Sequence, residues 1–410
     1  MAEIPTPRWR AVASAAGLAA PDGTTRPTIF AEMTALATAT SAANLGQGFP
    51  DADGPAWILE AAVEAIRGGH NQYPPGRGVP ALRRAVAAHQ ERRYGLVLDP
   101  GTEVLVTAGA TEGLTAAVLA LAGPGDEVLT LEPFYDSHAA AIALAGATHT
   151  TVPLVPGPDG FRLDVAALEA AVTPRTRVIL VNSPHNPTGT VLHRAELEAI
   201  AVAAIRADAV VVTDEVYEHL VYDGAEHVPL ATLPGMRERT VTISSAGKTF
   251  SLTGWKVGWV TGPAALVEAV LAVKQFLTYS GGAPFQPAIA RALDEGASDV
   301  EELRTSLARR RDALVSGLTE AGFAVVVPRG TYFVCADATP FLTAEMPDGA
   351  AFARALPHLV GVAGVPVSAF CREGSATARA LAPWVRFTFV KDEATIAVAL
   401  ERLQRLPGRR

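Results

Sequence analysis

The stretch TVTISSAGKTFSLTGWKVGW, Thr240 to Trp259, decides how the rest of the chain is read. It opens on β-branched residues in alternation, which predicts a strand. A lysine, Lys248, then follows Ser244, Ser245, Ala246 and Gly247, small residues that let a backbone and a ligand approach closely. A lysine in such a place becomes an amine nucleophile when desolvation or a nearby positive group favours its neutral form. The competing reading is a surface lysine in a polar loop, which explains neither the small-residue lead nor Lys256 close by.

Outward from that stretch, Glu103 to Gly262 alternates short β-rich runs with longer alanine- and leucine-rich stretches, the pattern of parallel βαβ units. The strand candidates are 103–107, 127–131, 177–182, 210–213, 240–244 and 255–261. Most are apolar on both faces, so the expected architecture is an α/β sheet covered by helices on each side. This large domain is placed at 56–290. Beyond it a charged helix, the runs FAVVVP, TYFVCAD, VPVSAF and WVRFTFV and a last helix near 393–405 predict a smaller α+β domain, 291–410. The first 55 residues carry Pro5, Pro7, Pro21, Pro27 and Pro50 with little periodicity and are expected to be an arm packed on another domain or subunit.

Bulk properties narrow the function. The 42 acidic residues outnumber the 34 Lys and Arg, and a net charge of -8 repels phosphate backbones and acidic lipid surfaces, so nucleic-acid and membrane partners are set aside. No apolar run approaches the roughly 18 residues of a membrane helix; AAAIALAGA, Ala139 to Ala147, reads as a buried helix. Cys335 and Cys371 give no disulfide framework and no metal-ligand spacing, so no metal is expected and a reducing cytoplasm is the simplest compartment.

Thr111, Asn186, Asp214 and Lys248 all fall just past the C-terminal ends of predicted strands, the edge where open α/β sheets bind ligands. VLVTAGATEGL runs a strand into Gly109 and opens a helix at whose free N–H groups Ala110 and Thr111 can hold a phosphate; an ordinary helix cap is the competing reading. In VNSPHNPTGT, Pro184 and Pro187 stiffen a loop that aims the Asn186 amide, or simply form a turn. VVVTDEVYEHL places Asp214 and Glu215 after a buried strand, with Tyr217 beyond. A buried carboxylate needs a positive partner, such as a protonated pyridine nitrogen, unless Asp214 only caps the next segment.

Together SSAGKTFSLTGWKVGW, DEVYEHLVYDG, SPHNPTG and NLGQGFPD resemble the fold-type I, class I/II aminotransferases over residues 28 to 405. The chain is most similar to their kynurenine, glutamine and methionine group and, within it, to actinobacterial N-succinyldiaminopimelate aminotransferases. The resemblance implies a large domain with a mostly parallel, seven-stranded sheet between helices, the cofactor pyridoxal 5′-phosphate (PLP), and transfer of an amino group from an L-amino acid to a 2-oxo acid. It implies that Lys248 forms the Schiff base and shuttles the proton, that Asp214 pairs with the pyridine nitrogen, and that Asn186 and Tyr217 bond the cofactor 3-oxygen. Tyr135 in EPFYDS stacks on the ring, while Ala110, Thr111, Ser245 and Lys256 hold the phosphate. Arg386 in WVRFTFV clamps the substrate carboxylate with Gly48 against it, whereas from its residues alone it reads as an outward arginine on a half-buried strand. Tyr73 in NQYPPGRG and Phe285 in GGAPFQPA are implied to serve a neighbouring subunit, hence a homodimer with shared active sites; core packing is their other reading.

Two departures stand out: Thr111 where several relatives carry an aromatic residue, and Phe30 and Glu32 in TIFAEM where kynurenine-active members carry tryptophan. These put kynurenine itself in doubt and leave the cofactor motifs intact. Those motifs do not separate a transaminase from a C–S β-lyase or another biosynthetic PLP enzyme. A PLP-binding regulator without turnover fits less well, since a carboxylate clamp then has no use.

Overall fold

The computed structural model describes residues 8–157 and 160–407, so Pro5 and Pro7 of the expected arm lie outside the described residues. The strands, in chain order, are β1 (Ala43–Asn44), β2 (Val104–Thr107), β3 (Glu127–Glu132), β4 (Thr148–Gly157), β5 (Gly160–Leu163), β6 (Thr176–Asn182), β7 (Val210–Asp214), β8 (Thr240–Ser245), β9 (Gly258–Thr261), β10 (Ala324–Val326), β11 (Phe333–Asp337), β12 (Val362–Ala363), β13 (Val365–Pro366) and β14 (Trp384–Thr388). The large sheet has the order β2-β9-β8-β7-β6-β3-β4-β5. Neighbours from β8 to β4 pair in parallel, while β9 runs against both β8 and β2. Six of these strands fall on the strand candidates and β4, which was not among them, brings the number to the seven that the resemblance implies; an eighth, β5, folds back antiparallel on β4.

Alternation across the central strands explains the layers. Val178, Leu180, Val212 and Val241 point into one core with the helix Gly109–Leu121, whereas Ile179, Val181 and Val211 point into another with the helix Arg194–Ala207. Each face buries apolar surface worth roughly 1.5–3 kcal/mol per large side chain. The helix Arg194–Ala207 starts at a capping box made by His193 and Glu196 and stops where Asp208 turns left-handed at φ 49°.

Three expectations change. The strand expected over 255–261 is shortened to β9, because Thr253–Trp255 form a 3₁₀ turn and Lys256 takes a left-handed conformation, φ 53°. In VPVSAF only β13 is extended before a 3₁₀ turn, Val367–Phe370, takes over. The first 55 residues are more regular than their prolines predict. They hold the helices Arg8–Ala15 and Ile29–Thr40, the second N-capped by Thr28, and β1, which pairs in parallel with β12. Met33 and Leu45 thereby enter one core with Val365 and Phe387. The C-terminal sheet, β10-β11-β14-β13, is antiparallel throughout.

Candidate active site

A cavity of about 380 Å³ opens at the C-terminal edge of the parallel strands, roofed by the loop after β1 and by β11 and β14. Its lining includes Gly48, Ala110, Thr111, Tyr135, Asn186, Asp214, Tyr217, Ser245, Lys248, Lys256 and Arg386, eleven of the thirteen residues singled out from the sequence.

At one end the backbone after β2 turns through Gly109, φ 77°, into the helix Gly109–Leu121. A Cβ on Gly109 would lie 3.2 Å from the Lys256 ammonium, and one on Gly258 would lie 2.8 Å from the Ala110 nitrogen. Only glycine fits both places, and the result is a cradle of helix N–H groups, the Thr111 and Ser245 hydroxyls and one ammonium. Glu112, the acid nearest in sequence, is turned away by bonds from the Ala108 N–H and the Thr278 hydroxyl, each 2.6 Å. A donor set with a cation and a helix N-terminus and no acceptor carboxylate suits a phosphate.

In the middle, Asp214 ends β7 at 7% exposure. Its side chain is loosely held: His138 Nε2 stands 3.5 Å from one oxygen and the Val216 N–H 3.4 Å from the other. Its carbonyl accepts from the Asn182 amide at 2.8 Å, and the Asn182 oxygen in turn accepts from the Asn186 N–H at 2.8 Å. Asn182 thus ties the strand end to the proline-stiffened loop; its place beside Ser183 in the same motif is the signal that could have found it. Tyr135 precedes the helix Asp136–Ala145, and burial pushes its phenol up to about 12. Burial likewise raises the Tyr217 phenol, so both hydroxyls keep their protons and can donate. Lys248 sits in the single-turn helix Ala246–Thr249, capped by the Ser245 hydroxyl, and its Nζ donates to the Tyr332 hydroxyl at 2.8 Å.

At the other end Arg386 lies mid-strand in β14, 1% exposed, and faces inward rather than toward solvent. It donates to Asn186 Oδ1 at 2.8 Å and to the Gly46 carbonyl at 2.9 Å, and its guanidinium stands 3.9 Å from the Phe333 ring and 4.7 Å from the Phe370 ring. Its Nε has no partner, and among the described residues no carboxylate lies within 4.0 Å. Burial pushes its pKa down to about 10. A buried guanidinium without a counter-charge costs several kcal/mol, so this end is built to receive an anion. Gly48 is needed beside it, since a Cβ there would fall 2.6 Å from the Phe333 ring.

Tyr73 and Phe285 are outside this cavity. Tyr73 is 83% exposed with its ring edge against Tyr279, and Phe285 stacks on Trp255 at 4.6 Å. Phe30, flagged as a departure, forms part of the wall, as do Gln47, Phe49, Ser137, Thr253 and Phe333, which motif reading did not single out. Among the described residues no helix is long and apolar enough to cross a membrane.

Comparison with known proteins agrees with this geometry. A probable N-succinyldiaminopimelate aminotransferase of Mycobacterium tuberculosis (strain ATCC 25618 / H37Rv) is 58% identical over 386 residues, 93% of this chain and 96% of the relative. The methionine aminotransferase of Escherichia coli (strain K12) is 40% identical over 383 residues, 92% of this chain and 96% of the relative. The solved structure of N-succinyldiaminopimelate aminotransferase from Mycobacterium tuberculosis superposes with a TM-score of 0.91 at 55% identity, covering 98% of this chain and all of the other. The family model "Aminotransferase class I and II" matches residues 40–403, and with its lysine, carboxylate and arginine gathered in one cavity the chain belongs to that family of amino-group transferases.

Proposed function

We propose that this aminotransferase works with PLP and an L-amino acid whose α-carboxylate docks on Arg386. The observation that carries the reading is the buried, carboxylate-free Arg386 opening on the same cavity as Lys248. When bound, PLP supplies an aldehyde that condenses with amines and a ring that takes up the electron pair of a broken Cα–H bond.

The chain's residues divide the remaining work. The helix start at Ala110 and Thr111, with Ser245 and Lys256, holds the phosphate. Asp214 would keep a proton on the pyridine nitrogen, and its loose protein contacts leave its oxygens available for that bond. Asn186 gives its oxygen to Arg386, which leaves its NH₂ for the cavity, where with the Tyr217 hydroxyl it would hold the cofactor 3-oxygen. Tyr135, on the cavity wall, would stack on the cofactor ring. With the cofactor in place Lys248 would be the amine that holds it, would yield that position to the donor's amine, and would then carry the proton from the substrate Cα to the cofactor carbon on the far side of the shared nitrogen. The 2-oxo acid leaves before the acceptor oxo acid binds, a ping-pong sequence. Gly48 leaves room for the carboxylate at Arg386. The 58% identical relative supports N-succinyl-diaminopimelate with glutamate as the reacting pair, and the homodimer of the resemblance would bring Tyr73 and Phe285 to the neighbouring site.

The test is a half-reaction screen, following the absorbance of the PLP-loaded enzyme with each donor in turn: N-succinyl-diaminopimelate, glutamate, methionine and kynurenine. Spectral conversion with matching oxo-acid release supports the reading, and the fastest donor names the substrate. Exclusive release of pyruvate and ammonia from a cysteine conjugate would make the chain a C–S β-lyase instead, and PLP binding without any half-reaction would make it a regulator.

A further inference from the structure

The Tyr332 hydroxyl bridges two parts of the site that the motifs do not connect. It accepts from Lys248 Nζ at 2.8 Å and donates to the Gly48 carbonyl at 2.7 Å. A phenol has one proton, and here that proton is committed to Gly48, so toward Lys248 the oxygen acts only as an acceptor. The side chain has little freedom. It is 2% exposed, its ring stands edge-on to Tyr217 at 5.2 Å and to Phe333 at 4.7 Å, and its carbonyl accepts from the Phe389 N–H and the Thr388 hydroxyl, each 2.9 Å. The residue before it, Thr331, is left-handed at φ 63° and is tied by its N–H to the Leu220 carbonyl at 2.9 Å and by its own carbonyl to the Tyr222 hydroxyl at 2.6 Å. Backbone from both sides of the cavity thus fixes where this oxygen sits.

Gly48 belongs to the loop that also receives Arg386 through the Gly46 carbonyl. One short segment, 46–49, is therefore hydrogen-bonded at one point to the carboxylate clamp and at another, through Tyr332, to the amine.

We infer that Tyr332 is a positioning residue for proton transfer: it holds one N–H of the freed Lys248 amine, so that the nitrogen lone pair faces the substrate Cα, and it couples that orientation to the loop gripping the substrate carboxylate. In the step concerned the Cα–H bond breaks, its electron pair passes into the conjugated cofactor and the proton forms a new N–H bond on Lys248; the same proton is later given back, so no further reactant is needed. The inference rests on the PLP reading above. A misaimed base still binds substrate, so its loss falls on the chemical step.

The experiment compares the PLP-loaded enzyme with Tyr332→Phe, which keeps the ring and its packing and removes one oxygen. Expected is a kcat lower by about 10- to 100-fold with a clearly smaller rise in KM for the amino donor from the lost bond to Gly48, a larger Cα-deuterium isotope effect, and equally slowed exchange of the Cα hydrogen with D₂O in NMR. Cofactor-free Y332F should also regain its Schiff base with added PLP more slowly, since the same amine must attack the aldehyde, while melting temperature and final PLP affinity stay near those of the unchanged protein. 3-Fluorotyrosine incorporated at position 332 keeps the shape but weakens the acceptor, and should fall between the two. Unchanged kcat and isotope effect in Y332F would overturn the inference. So would losses of kcat, PLP affinity and melting temperature in parallel, the mark of damaged packing. If Y332F does not fold, the fluorotyrosine protein decides by the isotope effect alone. If the unchanged enzyme itself forms no borohydride-trappable adduct at Lys248, the PLP reading fails and Tyr332 is not the cause.

Discussion

Asp214 and Glu215 are consecutive carboxylates at the end of β7, and the chain treats them in opposite ways. Glu215 faces the interior behind the sheet edge, where His227 Nε2 meets it at 2.8 Å with both side chains about 3% exposed. Close by, Glu218 accepts from the Tyr94 hydroxyl at 2.7 Å and the Ser244 hydroxyl at 2.5 Å, and the His89 and His219 rings meet at 2.9 Å. In this interior cluster each carboxylate is met by a protein donor at hydrogen-bonding distance. In the cavity the Asp214 carboxylate has no donor nearer than 3.4 Å, and among the described residues no acid lies within 4.0 Å of Arg386. Since an unpaired buried charge costs several kcal/mol, the contrast separates charge that holds the fold from charge held ready for a ligand.

Four substitutions break or sharpen that contrast. Lys248→Ala should lower turnover about 10⁴-fold and abolish the borohydride-trappable adduct, read by steady-state rates and mass spectrometry, with the interior cluster and the melting temperature untouched. Arg386→Lys keeps the charge but not the fork. Because an ammonium is a single point of donation, it cannot reach Asn186 and Gly46 and still offer two parallel N–H groups to a carboxylate, so kcat/KM should fall by about 30- to 1000-fold, or about 2–4 kcal/mol, for every amino donor alike. Gly258→Ala drives a methyl into the backbone of Gly109 and Ala110. At about 1–3 kcal/mol for such overlap, PLP affinity measured by equilibrium dialysis should drop about 5- to 150-fold.

The smallest effect belongs to the interior. Burial works to raise the Glu218 carboxyl, but the neighbouring imidazoles and the Ser244 hydroxyl hold it down to about 2, from an ordinary 4.5. Its stabilisation is therefore complete above pH 4.5 and lost as pH falls toward 2. Burial holds the His219 ring down to about 3, which adds a loss of stability from pH 6.5 downward. Glu218→Gln should lower the melting temperature most above pH 4.5, with the difference narrowing on acidification, and should leave the rate of the folded enzyme unchanged. A large fall in rate would mean the cluster is part of the site.

Much of the cavity was legible because residues on its sheet-edge side sit in local strings, each at the end of a strand whose composition announces burial. Asp214, Asn186 and Lys248 needed no knowledge of distant contacts. Arg386 did. It lies between Cys335 on β11 and Val365 on β13 in a strand covered on both faces, so no period-two alternation shows which way it points. Residues alone favoured solvent, and the family resemblance supplied the other direction. Tyr332 gave no signal, since its importance comes from Gly48 and Lys248, both far away in sequence. The arm was read from its prolines and its lack of periodicity, and IFAEMTALATAT offers only a weakly defined apolar face; its helix is stabilised by packing on the helix Gly349–Leu359.

The parallel pairing of β1 with β12 has a consequence for biogenesis. As the polypeptide emerges from the ribosome, Ala43 and Asn44 have no strand to dock on until Val362 and Ala363 appear, and Gly46 waits 340 positions for Arg386. A nascent chain stalled before that point has its lysine and its sheet edge but no anion clamp, so a truncated product gains no partial specificity, only an open groove.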